Sequence, residues 1–407
     1  MNVVQVCIGR LHHFDLARQL SKRGMLGRFY TGYPPSKLKG QAIPMDRVTS
    51  FPWIVTPYMA FIKWCLLIES WDQSLWWLAQ ESLDAFVARH LPGCDILLAL
   101  SGSGLKAAAV ARQRGAKFVC DRGSTHIRFQ DAILREEFAR WGDHFSGVDP
   151  RVVDKEEKEY EAADIITVPS EFALRSFLDM GVRPEKLRKV PYGVDLRRFD
   201  QAGDPAKDRF DVLFVGQVGF RKGVPDLLRA FASLRHPRKR LRIVGGLQPE
   251  MRRYLAHHPP GPDVELVGLL PQAKLKEVMS RAHVMVLPSI EEGLALVQAQ
   301  ALACGCPVIG TWNAGAADLF TDGVEGFIVP PRNPAAIVER LQWLADEPEK
   351  RQQMSEDALK RVAALGGWDD YGQRIAAVLS ELVTPPVTLA EAKREEAQGG
   401  RRIASRT

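Results

Sequence analysis

Residues 289–308 read SIEEGLALVQAQALACGCPV, and this stretch decides the fold. An apolar run that ends at Leu287 precedes it and is typical of a buried strand. A helix is expected to start near Leu296 and to stop at Gly305, because glycine favours helix ends and Pro307 cannot continue a helix. The segment therefore predicts a strand, a loop and a helix, the repeating unit of a parallel α/β sheet.

The start of this helix suits an anionic ligand. Its unpaired N–H groups and its dipole attract an anion such as a diphosphate. Glu292 precedes the helix and Gln300 lies within it, so both are expected to approach a ligand above the helix start. Ser289 and Glu292 also have the spacing of a capping box, which is the purely structural alternative. Gly293 directly after Glu292 argues against a helix that starts at Ser289.

Short apolar strands alternate with helical stretches along the whole chain, which favours two Rossmann-like domains facing a cleft. A polar stretch at 201–208 is interpreted as the linker between them. One predicted helix, 15–22, ends at Gly24. The predicted strands of the first half are 3–8, 95–99, 117–120 and 164–168, and those of the second half are 211–216, 241–244, 264–267, 283–287 and 307–310.

Composition indicates a globular protein of two domains, with 407 residues, 46% hydrophobic and 26% charged. The six cysteines are scattered without paired CxxC units, so we expect buried thiols in a reducing compartment and no zinc site. The first residues predict a strand and not a signal peptide, and no window is long and apolar enough for a membrane span. The expected location is the cytoplasm.

Two features of the first half are compatible with a membrane surface. Residues 1–47 hold eight Lys or Arg against two Asp, and residues 51–91 hold five of the nine tryptophans. A basic face attracts anionic lipid or phosphorylated substrate, and tryptophan concentrates at interfaces. A solvated basic surface and helices packed on the first sheet are the alternatives. No nucleic-acid-binding motif is found, so nucleic acid is not an expected partner.

With these residues in view, residues 289–308 resemble the nucleotide-sugar signature of family-4 retaining glycosyltransferases, E-G-F-G, four residues, E-A, and later A-C-G-x-P-V. The resemblance implies the GT-B fold and a donor site. It implies that Glu292 contacts donor-sugar hydroxyls, that Gln300 holds the ribose, and that backbone N–H groups of Leu296 and Val297 bind the diphosphate. Gly293, Leu294 and Ala295 complete the donor loop. Departures from the family pattern are Leu294 for Phe, Ala295 for Gly and Gln300 for Glu.

Residues 215–228, VGQVGFRKGVPDLL, resemble the family element G-R-x-x-x-x-K-G, whose Arg and Lys neutralise the diphosphate. Lys222 matches the lysine. Gln217 stands where Arg is usual, and Arg221 is the candidate for the missing charge. The resemblance implies a catalytic, charge-stabilising role for Lys222 and a catalytic role for Glu292.

Three shorter matches follow the same family. Residues 191–195 resemble the turn before the linker, and 368–371 resemble the start of a final helix that crosses back onto the first domain. Gly268 and Leu269 resemble the strand end that reads the base. The expected organisation is an acceptor-binding domain at 1–198, a donor-binding domain at 209–365, the crossover helix at 366–384 and a polar tail at 385–407.

Two loops of the first domain follow predicted strand ends and supply further candidates. Gly9 would let the backbone approach the donor. The family resemblance implies that His126 is the catalytic histidine near the transferred sugar, with an ordinary loop histidine as the alternative. Tentative acceptor contacts are His12, His13, Arg122 and Ser124.

The expected activity is metal-independent, retaining hexosyl transfer from a UDP- or GDP-linked sugar, without a cofactor, to a glycan or lipid-linked acceptor. Bacterial surface polysaccharide or lipopolysaccharide assembly, with peripheral contact to an anionic membrane, is the expected setting. A GT-B epimerase or phosphorylase is one alternative. A partner protein that has lost turnover is another, motivated by Gln217, Ala295 and Gln300.

Overall fold

The computed structural model describes residues 1–9, 11–38, 40–64, 69–195 and 198–383, with side chains described outside 60–72. Within these ranges the chain forms two parallel β-sheets, each covered by helices. The first sheet has the strand order β3-β2-β1-β4-β5-β6-β7. Its strands are β1 Val3–Cys7, β2 Leu26–Thr31, β3 Val48–Ser50, β4 Ile96–Leu100, β5 Lys117–Asp121, β6 Ile165–Val168 and β7 Leu187–Lys189.

The helices of the first half connect these strands by crossovers, as parallel pairing requires. They bury apolar faces against the sheet, for example Phe14 and Leu20 of the first helix. The helices are α1 His13–Lys22, α2 Val55–Trp64, α3 Glu69–His90, α4 Leu105–Gln113, α5 Ile127–Arg140, α6 Pro150–Ala162 and α7 Glu171–Asp179.

The second sheet has the order β10-β9-β8-β11-β12-β13, and all its pairings between strands are parallel. Its strands are β8 Phe210–Val215, β9 Lys239–Val244, β10 Val264–Gly268, β11 Val284–Leu287, β12 Val308–Thr311 and β13 Gly326–Val329. Its helices are α8 Val224–Ser233, α9 Pro249–His257, α10 Gln272–Ser280, α11 Val297–Ala303, α12 Ala316–Leu319, α13 Pro334–Asp346 and α14 Pro348–Ala364.

A last helix, α15 Trp368–Val383, returns to the first domain and packs on α1. Tyr371 of this helix is fully buried, and Lys22 Nζ lies 2.7 Å from Asp369 Oδ1. Gly193 lets the chain pass under the start of the helix, because a Cβ there would lie 2.5 Å from the backbone of Gly367. The crossover expected from the sequence is present.

Both sheets reverse their strand order beside the first strand, between β1 and β4 and between β8 and β11. Ligands of open parallel sheets bind at the carboxyl ends of strands at such switch points. The two-domain parallel fold that the sequence predicted is confirmed. Every predicted strand is found, with ends shifted by one or two residues. The strands that the sequence reading missed are β2, β3, β7 and β13.

The tryptophan-rich segment forms α2 and α3, and its described tryptophans lie in three environments. Trp76 is partly buried in the core, Trp77 stacks with Arg151 at 4.5 Å, and Trp53 is 75% exposed. Trp76 therefore agrees with the packing interpretation, and contact with a membrane stays a prediction. No helix of the described chain has the length and apolarity that crossing a bilayer requires.

Candidate functional site

A cavity of about 950 Å³ lies between the two domains, at both switch points. On the first-domain side its wall includes Gly9 beyond β1 and Ser101 beyond β4. On the second-domain side it includes Gly216 beyond β8 and Glu292 beyond β11. The fold therefore brings loops of four separate strand ends into one cavity large enough for a small organic ligand.

Lys222 and Glu292 meet in this cavity as an ion pair. Lys222 ends a single 3-10 turn, and the following Gly223 has φ +67°. A Cβ on Gly223 would lie 2.0 Å from the carbonyl oxygen of Pro288, so only glycine allows the two loops to approach this closely. The arrangement joins the two segments that the sequence analysis singled out separately.

The amino group of Lys222 is largely buried from water. Burial, then the neighbouring positive charge of Arg221, lowers the pKa of Lys222 to about 7, and Glu291 opposes this. An amine that is desolvated in this way gains by binding an anion, because the anion replaces the lost water. The cavity therefore has a strong anion-binding group on its second-domain side.

Glu291 was not predicted as a site residue from the sequence, although it precedes Glu292 directly. It is fully buried, and Arg221 Nη2 lies 2.7 Å from its Oε2. It also accepts hydrogen bonds from three groups of the first domain, at 2.6 to 3.0 Å: the Ser124 hydroxyl, the Thr125 hydroxyl and the Gln130 amide. A single carboxylate of the second domain thus links the two domains beneath the cavity.

The electrostatics of Glu291 favour its charged form. Burial alone would raise its pKa, but Arg221 and the hydrogen bonds from Ser124, Gln130 and Thr125 outweigh burial and lower the pKa to about 2. The paired sequence Glu291-Glu292 was the available signal. Which of two adjacent carboxylates enters the cavity depends on the loop conformation, which the sequence alone does not give.

His12 is the histidine that lines the cavity. Its Nε2 lies 2.5 Å from Asp121 Oδ2, and Nε2 of the buried His13 lies 2.9 Å from the same oxygen. Burial opposes the charge on Asp121, but the two histidines outweigh burial and hold its pKa well below the ordinary range. Tyr192 packs on the His12 ring, with centroids 4.2 Å apart.

His12, His13 and Asp121 also lie close enough to share a cation, with one ligand atom from each within 4.8 Å of the others. His12 Nε2 is hydrogen-bonded to Asp121, whereas the buried Nε2 of His13 lies near the same oxygen without a hydrogen-bond partner. The geometry is that of a carboxylate that orients the His12 imidazole.

His126, the predicted catalytic histidine, lies elsewhere. Its ring packs against Tyr160 and Phe177, each with centroids 5.0 Å away, and its Nδ1 accepts a hydrogen bond from the backbone N–H of Arg128. Burial, which is the largest cause, lowers its pKa to about 4. It is absent from the cavity wall because it caps the start of α5 and fills the core behind it.

The predicted site residues divide into two groups. Those that line the cavity are Gly9, His12, Arg122, Ser124, Arg221, Lys222 and residues 292–297. Those that do not line it are His13, His126, Gln217, Gly268, Leu269 and Gln300.

Several residues that were predicted to bind the donor lie outside the cavity wall. Gln217 is exposed on the loop beyond Gly216, and Leu269 is 82% exposed beyond β10. Gln300 lies one turn inside α11, where its backbone N–H donates to Leu296. Its neighbour Gln298 is buried instead and donates to the carbonyl of Ala314.

Glu291→Gln should destabilise the protein most at neutral pH. The native pKa of about 2 lies below the ordinary 4.5, so ionisation of Glu291 stabilises the fold above pH 4.5. This contribution is lost as the pH falls towards 2. The shift corresponds to about 3 kcal/mol at pH 7. Thermal unfolding from pH 7 to pH 3 should show a gap to the wild type that shrinks with falling pH.

The matched control is Glu349→Gln, which changes an exposed glutamate of α14. Its unfolding midpoint should follow the wild type at every pH. A Glu291→Gln gap that stayed constant from pH 7 to pH 3 would contradict the assigned ionisation.

Comparison with known proteins adds the family. Residues 197–361 match the family described as Glycosyl transferases group 1. The chain is 29% identical over 299 residues to D-inositol 3-phosphate glycosyltransferase 1 of Catenulispora acidiphila, covering 68% of this chain and 69% of that protein. It is 33% identical to D-inositol 3-phosphate glycosyltransferase of Frankia alni, over 45% of this chain and 50% of the relative. The chain thus spans between half and about two thirds of these relatives.

Solved structures agree on the fold. Sucrose-phosphate synthase from Thermosynechococcus elongatus superposes with a TM-score of 0.70 at 21% identity, covering 94% of this chain and 99% of that chain. HepE from Anabaena in complex with UDP superposes with a TM-score of 0.66 at 17% identity, covering 94% and 100%. Together these findings show that residues 197–361 belong to glycosyl transferases group 1 and that the chain has the fold of GT-B glycosyltransferases.

Proposed function

We propose that the protein transfers a hexosyl group, with retention and without a metal ion, from a UDP- or GDP-linked sugar to a glycan or lipid-linked acceptor. The observation that carries the proposal is the meeting of Lys222 and Glu292 in one interdomain cavity. A cation and a carboxylate side by side suit a donor that is anionic at its diphosphate and rich in hydroxyls at its sugar. A HepE structure of similar fold is in complex with UDP-glucose, which supports a donor of this class.

The diphosphate would lie against Lys222, Arg221 and the first turn of α11. As the bond from the sugar C1 to the phosphate oxygen breaks, negative charge grows on the leaving diphosphate, and the two cations stabilise it. The acceptor oxygen forms the new bond to C1. Its proton passes to a phosphate oxygen of the leaving group, so the products are the glycoside and the nucleoside diphosphate.

The nucleoside would lie on the ends of β8, β9 and β10, which are side by side and lead away from the cavity. The backbone N–H of Gly245 donates to the carbonyl of Gly268, and a Cβ on Gly245 would lie 1.7 Å from the carbonyl oxygen of Gly216. The exposed Leu269 follows β10 at the outer end of this surface. We therefore retain Gly268 and Leu269 as the proposed base contacts, and Gln300 as the proposed ribose contact.

His12 takes the place proposed earlier for His126. It lines the cavity on the first-domain side, and its hydrogen bond to Asp121 orients the ring. An imidazole in this position would contact the transferred sugar or the acceptor hydroxyl. The setting that we propose is surface-polysaccharide assembly in the cytoplasm, and four described cysteines that are buried and unpaired are compatible with a reducing compartment.

Lys222→Ala should reduce kcat/KM for the donor at least about a hundredfold, as loss of an oxyanion-stabilising group does. The measurement is transfer or hydrolysis across a panel of UDP- and GDP-sugars, with products identified by mass. Lys207→Ala, an exposed lysine in the linker, is the control and should keep full activity. Full activity of Lys222→Ala would refute its role. Failure of the wild type to bind any nucleotide would favour the non-catalytic alternative.

The pH profile of the same reaction should show the titration of Lys222. Its pKa of about 7 means that the ammonium is charged below pH 7 and lost above it. We expect kcat/KM for the donor to fall above pH 7, by up to about tenfold for each further pH unit. Lys222→Arg should abolish this fall, because a guanidinium stays charged. A descending limb that persists in Lys222→Arg would assign the titration to another group.

Peripheral contact with anionic lipid is the least direct part of the proposal. It rests on Trp53, which is 75% exposed, and on the basic first 47 residues. Trp53→Ser should weaken binding to vesicles that contain phosphatidylglycerol several-fold, because tryptophan favours the membrane interface. Trp312→Ser, a 53% exposed tryptophan of the second domain, is the control. Equal losses in both variants, or no vesicle binding by the wild type, would contradict membrane contact through the turn before α2.

A further inference from the structure

On the first-domain side, the described part of the cavity wall is polar, and its arginine, Arg122, is paired with a carboxylate. Gln73, Trp76 and Gln80 follow one another at helical spacing on α3 and face the cavity. Ser101 and Arg122, from the loops after β4 and β5, complete this wall. The acceptor wall, as we call these five residues, faces the second-domain groups that we assign to the donor.

Arg122 is fully engaged within the protein. Its Nη1 lies 2.8 Å from Glu156 Oε2, its Nε donates to the carbonyl of Thr125 at 2.9 Å, and its Nη2 donates to the amide oxygen of Gln130 at 2.9 Å. A phosphate on the acceptor would have to break these bonds to use the guanidinium. Glu156 and Asp149 also line this part of the cavity, where they are paired with Arg122 and Arg151.

Among the described residues that line the cavity, two carry a buried polar side-chain atom without a hydrogen-bond partner. Gln80 is 5% exposed, and its Oε1 is unpaired. Gly102, with φ +80°, leaves the room that this side chain occupies, since a Cβ there would lie 2.4 Å from Gln80 Nε2. The Tyr192 hydroxyl, 9% exposed as a residue, is unpaired as well. Buried polar groups are normally paired, and these two belong to residues of the cavity wall, where a ligand could supply the partner.

The chemistry of these groups selects the ligand. An amide needs both a donor and an acceptor, and a hydroxyl group supplies both, whereas a phosphate dianion supplies acceptors alone. Trp76 offers an apolar surface beside them, which suits the C–H face of a sugar ring. Carboxylates, amides and an aromatic ring together form a site for an uncharged polyhydroxylated group.

We propose that the acceptor wall binds an uncharged, hydroxyl-rich unit, either the sugar end of a glycan or a free polyol, and that it discriminates against a phosphorylated acceptor. This inference rests on the proposed transferase function and narrows its acceptor class. It separates the protein from relatives that are named for D-inositol 3-phosphate.

The test uses the full chain and first identifies a nucleotide sugar that it consumes. Acceptors are then compared in matched pairs: myo-inositol with inositol 3-phosphate, and methyl glucoside with glucose 6-phosphate. A maltooligosaccharide arm distinguishes glycans from free polyols. We expect kcat/KM to be at least tenfold higher for the uncharged member of any pair that reacts. A smaller ratio, or a preference for the phosphorylated member, overturns the inference while leaving the transferase function intact.

Gln80→Ala gives an independent readout. It should raise KM for the uncharged acceptor about tenfold and leave the dissociation constant for the nucleotide unchanged, which also verifies folding. Gln113→Ala, at the exposed end of α4, is the matched control and should change neither value. An unchanged acceptor KM in Gln80→Ala would show that the acceptor binds elsewhere. Absence of any nucleotide binding by the wild type would instead refute the transferase function itself.

Discussion

The close approach of two loops in the second domain is the constraint on which the site depends. Gly223 lies against the carbonyl of Pro288, and the Ile290 N–H donates to the carbonyl of Arg221 at 2.8 Å. These backbone contacts fix the two loops in register. Arg221 then meets Glu291, and Lys222 meets Glu292, as two adjacent ion pairs. Without the glycine, neither pair would form, because any side chain at position 223 would separate the loops.

A ligand in the cavity would affect the Arg221–Glu291 and Lys222–Glu292 ion pairs differently. Glu291 is buried and hydrogen-bonded to the first domain, and this fixed carboxylate holds Arg221 at the cavity wall. Lys222 and Glu292 line the cavity, and a diphosphate and a sugar would replace their contact with two separate ones. One pair therefore positions the domains, and the other is available for recognition. A substrate that lacked either the anionic part or the hydroxyls would leave one partner of the second pair unsatisfied.

Much of the fold and part of the site could be predicted from the sequence. Strong apolar runs such as 211–216 gave strands, and Gly305 with Pro307 fixed the end of α11. The short strand β13 and the glycine- and arginine-containing strand β2 lack such a signal, since their pairing partners supply their stability. Lys222 and Glu292 were found because each belongs to a local motif. Glu291 and Gln80 are placed by contacts between distant segments, which a single sequence does not specify, and the same holds for the pairing of His12 with Asp121. His126 caps α5, and a loop histidine after a strand gives no sign of whether it turns outward or caps the next helix.

The return of α15 has a consequence for any attempt to separate the two halves. The first domain is built from a discontinuous stretch of chain, because α15 covers α1 and buries Tyr371 near His12. A fragment cut at the linker would expose the apolar groove that α15 fills and would lose a wall behind the cavity histidine. Chimaeras that exchange acceptor domains between related enzymes would therefore need two crossover points, with the last helix travelling together with the amino-terminal half.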